Sequence, residues 1–169
     1  MKKAILILFL AALAILLLGT VLKTIFPTIV IPNLLAVLLV YLAFYEANAF
    51  GAAMAFCIGA ELDFCSGLLL GPWAGAYVVA FIIVVLCSRR VFIESSIVIF
   101  VVTLISSLIT VCYHHFIISL VNEEISYDWS VFKVAFLEAL LGAIFAPLIL
   151  PLFRRKKNHK KHSSTLSGY

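Results

Sequence analysis

Apolar runs of about one membrane thickness follow one another along the chain, separated by short polar or charged breaks. The first, about 4–22, follows Met1-Lys2-Lys3, a start that also suits a secretory signal. It extends to about 19 residues with no A-x-A site behind it, which predicts an uncleaved first span. A turn containing Pro27 leads to a second run, about 29–45, with Pro32 near its start, where a missing N–H costs little. Glu46-Ala47-Asn48 separates it from the third, about 50–70, which stops at Gly71-Pro72. The fourth, about 73–87, opens on Trp73, a residue suited to the membrane–water interface, and ends at Ser88-Arg89-Arg90. Glu94-Ser95-Ser96 forms a lead-in at the membrane surface to the fifth, about 97–119. The most acidic loop, Asn122 to Asp128, precedes the sixth, about 130–153, where Pro147 and Pro151 predict bending or fraying. A helix crossing the hydrocarbon core needs about 20 apolar residues, and these six runs fit that length.

Composition agrees with this pattern. Hydrophobic residues make up 65% of the chain and charged residues 12%, with a mean hydropathy of +1.23. A soluble globular domain carries about 25% charged residues, so that class is excluded. The expected fold is all-α: one polytopic membrane domain of six transmembrane helices, residues 1–153, and a basic, disordered tail over 154–169. Cys57, Cys65, Cys87 and Cys112 all fall in or beside apolar runs and show no CxxC spacing. They read as buried thiols acting as small apolar residues.

Charge then sets the orientation. With a cytoplasmic N-terminus, Lys2, Lys3, Arg89, Arg90 and the six cations of 154–161 lie inside, against Lys23 and Lys133 outside. Ten against two follows the positive-inside rule. Both termini are expected in the cytoplasm and the acidic loop outside. The basic tail can also attract anionic lipid, at about 1 kcal/mol per basic residue near the surface.

The stretch Gly59-Ala-Glu61-Leu-Asp63-Phe-Cys-Ser66-Gly67-Leu-Leu-Leu-Gly71-Pro72 carries two acids inside an apolar run. Small residues recur every fourth position around Asp63: Gly51, Ala55, Gly59, Gly67, Gly71 and Gly75. Residues four apart share a helix face, so this row forms a groove that admits a neighbouring helix closely, with Asp63 set into it. A buried carboxylate there either couples ions or protons, or bonds neighbouring backbone and pins two helices; the second reading is favoured. Glu61 points to nearly the opposite face. With the orientation above, Asp63, His115 and Glu138 fall at comparable depths, a candidate polar layer in the outer half of the bundle. His114 and His115 point to different faces and are not expected to bind metal. No nucleophile–base pair, phosphate loop or nucleic-acid-binding framework is present in the sequence, and no cofactor is implied.

Pro32-Asn-Leu-Leu-Ala-Val-Leu-Leu-Val-Tyr41, followed by Gly59-x-x-x-Asp63-x-x-Ser66-Gly67-x-x-x-Gly71, resembles the rod shape-determining MreD family. The specific part covers about residues 32–82, and Ala146-Pro147-Leu148 also agrees with that family. Glu61 departs from its pattern, which has an apolar residue there. The resemblance implies a non-enzymatic component of the bacterial inner membrane that serves cell elongation. It further implies association with an MreC-like bitopic protein, and through it with an MreB-like cytoskeleton and a RodA–penicillin-binding-protein peptidoglycan synthase. Helix packing or partner contact through Gly59, Asp63, Ser66, Gly67 and Gly71 is the expected role of the motif. The same six-helix fold resembles the substrate-binding S components of energy-coupling-factor vitamin transporters, which is the alternative.

Overall fold

The computed structural model describes residues 7, 9, 11–15, 33–66, 71–88, 95–121 and 129–163, with side chains placed as far as Leu150 except at 129–131. All regular structure among these residues is helical. Five helices are α1 (Leu34–Tyr45), α2 (Ala49–Ser66), α3 (Pro72–Ser88), α4 (Ser96–Val121) and α5 (Trp129–Ser163). A further helical stretch over 11–14 contributes Ala11 to the interior. Gly67, the Arg89-Arg90 pair, the Glu94 lead-in, the acidic loop and most of the first run lie outside the described residues.

Local chemistry sets the helix ends. Asn33 caps α1, its side-chain oxygen accepting from the Ala36 N–H at 3.1 Å. The chain leaves α1 with the Glu46 N–H on the Leu42 carbonyl and re-enters a helix when the Asn48 side chain accepts from the Gly51 N–H at 3.0 Å. So short a connection makes α1 and α2 antiparallel neighbours. Pro72 is the first residue of α3, a position where its missing N–H leaves no bond unmade.

Packing places α1 at the centre. Leu39, Val40, Leu42 and Ala43 are fully buried. One side of α1 joins Ile58, Tyr77, Ala80 and Phe81 of α2 and α3, together with Ile7 and Ala11. Its other side, through Val37 and Val40, meets Ile99 of α4 and Ala146 and Leu150 of α5.

The bundle buries a polar seam along α4 beside its apolar core and turns large apolar side chains outward. Thr103, Ser106, Ser107 and Thr110 are buried along α4, whereas Ile97 is 74% exposed and Phe64 of α2 73%. In water that arrangement would present large apolar patches to solvent. In lipid it is the stable one: side chains as apolar as the acyl chains face out, and polar groups find partners inside. Among the described residues, three segments are long and apolar enough to cross a membrane, Ala49–Ser66, Ser96–Val121 and Phe132–Leu150; α1 and α3 are shorter apolar helices. The chain is a helical membrane protein.

Three expectations are corrected. The fraying expected at Pro147 and Pro151 is not seen: helix α5 is continuous through both. Ala143, Ala146 and Leu150 anchor it to the bundle on both sides of Pro147, and buried neighbours can compensate a lost bond. It also continues to Ser163, so residues 154–163 are helical where disorder was expected. Lys and Arg are good helix formers, propagation from an existing helix avoids nucleation, and cations suit a helix C-terminus. Three cysteines expected inside are not buried: Cys65, Cys87 and Cys112 are exposed free thiols, whereas Cys57 is half-buried against the core.

Candidate functional site

The site begins with a row on α2. Gly51, Ala55, Gly59 and Asp63 are all buried, one helical turn apart, and face α3. At Gly59 the helices touch backbone to backbone. A Cβ there would lie 2.5 Å from Ala74 Cα and 2.6 Å from the Trp73 carbonyl oxygen. At Gly51, further down the row, a Cβ would meet the Glu46 carbonyl and, from α3, the side-chain ring of Phe81 at 2.9 Å.

One turn past Gly59, Asp63 is 2% exposed and takes three backbone hydrogen bonds from the start of α3. Oδ2 accepts from the N–H groups of Gly71 (2.9 Å) and Ala74 (3.0 Å), and Oδ1 accepts from Trp73 N–H (3.0 Å). The first N–H groups of a helix have no partner inside it, and their dipoles favour negative charge. A carboxylate is an acceptor-only group, so this donor set suits it without any cation. Gly71 supplies the bend, with φ of +121°, a conformation that side-chain-bearing residues rarely adopt. Ser66 closes the end of α2, its hydroxyl donating to the Asp63 carbonyl at 3.0 Å.

The first turn of α3 is also held by α4. The Trp73 ring stacks on His114, with centroids 3.7 Å apart and planes at 21°. Gly75 lies against Tyr113, one residue earlier on α4. His114 is 8% exposed, and its Nδ1 has no hydrogen-bond partner. His115 is turned away, edge-on to His114 and 6.3 Å from the Phe132 ring of α5. Consecutive helical residues are about 100° apart, so one histidine of the pair joins the Asp63–Trp73 junction and the other faces α5. His114 thus joins the Asp63–Trp73 junction, while His115 lies on the side of α5, the helix that carries Glu138.

A second junction was not singled out from the sequence. Asn33 caps α1 and also donates through Nδ2 to the Ser107 hydroxyl of α4 at 2.9 Å. Its backbone N–H reaches the Glu138 carbonyl of α5 at 3.3 Å, and Gly142 of α5 admits its backbone, a Cβ there falling 2.9 Å from the Asn33 carbonyl oxygen. Asn33 therefore ties three helices. An asparagine directly before a Leu-rich run is a helix-start signal, and Gly142 four residues after Glu138 marks a close approach; together they were the available clue. Other hydroxyls of the α4 seam bond within their own helix: Thr103 to the Ile99 carbonyl, Ser106 to that of Thr103, and Thr110 to that of Ser107.

Glu61 remains apart from both junctions. Its Oε2 is buried without a hydrogen-bond partner. Among the described residues no three of His, Cys, Asp or Glu converge as a metal site. No family model, curated protein or solved structure matches the chain.

Proposed function

We propose that the chain is a non-enzymatic component of the bacterial cell-elongation machinery in the inner membrane, a six-span bundle with both termini cytoplasmic. In this reading it is an MreD-like protein. It binds an MreC-like bitopic protein, and through it an MreB-like cytoskeleton and a RodA–penicillin-binding-protein synthase. Anionic lipid surrounds the basic end of α5. One observation carries the reading: Asp63, the acid of the family-like motif, has its two oxygens engaged by three backbone N–H groups. A carboxylate so saturated is an architectural staple rather than a proton carrier, and it braces the α2–α3 pair as a rigid surface for another membrane protein. The test is co-purification from native membranes after crosslinking from α2. Capture of a bitopic coiled-coil protein, lost on substitution within the Gly59–Asp63 row, is the expected result.

The transporter S-component alternative draws on the Trp73–His114 stack, an aromatic–polar pair of the kind that lines small-molecule sites. A vitamin retained through purification would favour it over the scaffold.

A further inference from the structure

Glu61 lies within a candidate membrane span, five residues from the end of α2. At about 1.5 Å per residue that is a depth of about 7.5 Å along the helix. The residue is half-buried, and its Oε2 is enclosed by the chain itself without a hydrogen-bond partner. Helix α2 packs on α3 and α1, and none of these three helices contains a lysine, arginine or histidine. Their charged groups are acids, Asp63 and, at the end of α1, Glu46. The other ionisable groups are the phenols of Tyr41, Tyr45 and Tyr77 and the thiols of Cys57, Cys65 and Cys87, which bring no positive charge. His114 of α4 joins the junction at Asp63, which stands about 200° around α2 from Glu61. A carboxylate at Glu61 would therefore have neither a counter-charge nor a donor for the enclosed oxygen, in a medium that penalises charge. The neutral acid removes the charge and with it most of the cost.

We propose that Glu61 is a proton-binding site: its carboxyl group is the neutral acid at neutral pH, and it is the group of α2 that takes up and releases a proton. Asp63 is unsuited to that role, because three backbone N–H groups already hold it as a carboxylate. The two acids of one helix then do different work, Asp63 as an ionised staple on α3 and Glu61 as a proton holder on another face. The inference rests on the surroundings of Glu61 and stands independently of the elongation reading.

The test is infrared spectroscopy of the full-length chain in vesicles of phosphatidylethanolamine and phosphatidylglycerol. At neutral pH the wild type is expected to show the carbonyl-stretching band of a protonated carboxyl group, shifted in heavy water. Glu61→Gln should lose that band, and Glu61→Asp should keep it at a displaced frequency. Thermal unfolding in detergent supplies a second readout. Glu61→Gln should melt with the wild type at neutral pH, since an amide replaces a neutral acid of nearly the same shape. Raising the pH should lower the wild-type melting temperature, because the folded chain holds a proton that the unfolded chain gives up. Glu61→Gln should lose that part of the slope. A carboxyl band unchanged by Glu61→Gln, a Glu61→Gln variant that melts well below the wild type at neutral pH, or identical pH slopes would overturn the proposal.

Discussion

Gly59 and Ala74 stand closer than any side chain between them permits: a methyl group on Gly59 would lie 2.5 Å from Ala74 Cα. The obstacle is backbone, which cannot rotate away as a flexible side chain can. Gly59→Ala is therefore expected to push α2 and α3 apart and to destabilise the bundle by about 1–3 kcal/mol, as overpacking does elsewhere. Thermal unfolding in detergent reads this directly. An unchanged melting temperature for both Gly59→Ala and Gly59→Leu would show that the contact is not tight.

Asp63 makes a graded prediction. Each buried N–H left unpaired costs about 1–3 kcal/mol, so Asp63→Leu, which strands three, is expected to be severe. Asp63→Asn keeps an oxygen for Gly71 and Ala74 and loses chiefly the Trp73 bond, so it should be intermediate. Hydrogen exchange at Gly71, Trp73 and Ala74 should accelerate in the same order. Equal damage from both substitutions would sink the capping account.

Asn33 and Ser107 are joined side chain to side chain across α1 and α4 at 2.9 Å. A double-mutant cycle with Asn33→Ala and Ser107→Ala should return a coupling of about 0.6–2 kcal/mol, the range of interhelical bonds in membranes. Asn33→Ala alone should cost more than Ser107→Ala, because it also removes the cap on α1. Additive effects would mean that the bond contributes nothing.

His114 is the reverse case. Its ring is stacked on Trp73 while Nδ1 goes without a partner, so the aromatic face is used and one polar atom is not. His114→Phe should keep the stack, remove the unsatisfied group and leave stability unchanged or raised by about 1 kcal/mol. His114→Ala should lower it. Trp73 fluorescence, isolated in a Trp129→Phe background, should stay near wild type in the phenylalanine variant and shift in the alanine variant. A large loss of stability in His114→Phe would indicate that the imidazole is needed for its nitrogens.

Orientation is checked separately. The Lys and Arg distribution predicts that reporters fused at residue 125 read as extracytoplasmic and those at 169 as cytoplasmic. The opposite result at both positions would invert the bundle.

Patterns of the chain itself determined that it is helical and apolar enough for membrane spans, because the length of an apolar run and the absence of charges are local properties. The α2 row Gly51, Ala55, Gly59 and Asp63 was likewise legible, since a four-residue repeat names a helix face before any neighbour is known. The neighbour was not legible. Gly71-Pro72 read as the end of one helix and proved to be the start of the next, because the donors that satisfy Asp63 are backbone N–H groups, which every residue but proline carries. Which of the two histidines meets Trp73 depends on the rotation of α4 about its axis, and that is set by contacts with α3 and α5. The same holds for Cys65, Cys87 and Cys112, which composition placed inside and which are exposed: in lipid both faces of a helix are apolar, so the sequence carries little contrast to tell them apart. Asn33 shows the limit most plainly. Its cap on α1 is local, but its bonds to Ser107 and to the Glu138 carbonyl join segments 74 and 105 residues away, and only the packed bundle brings those together.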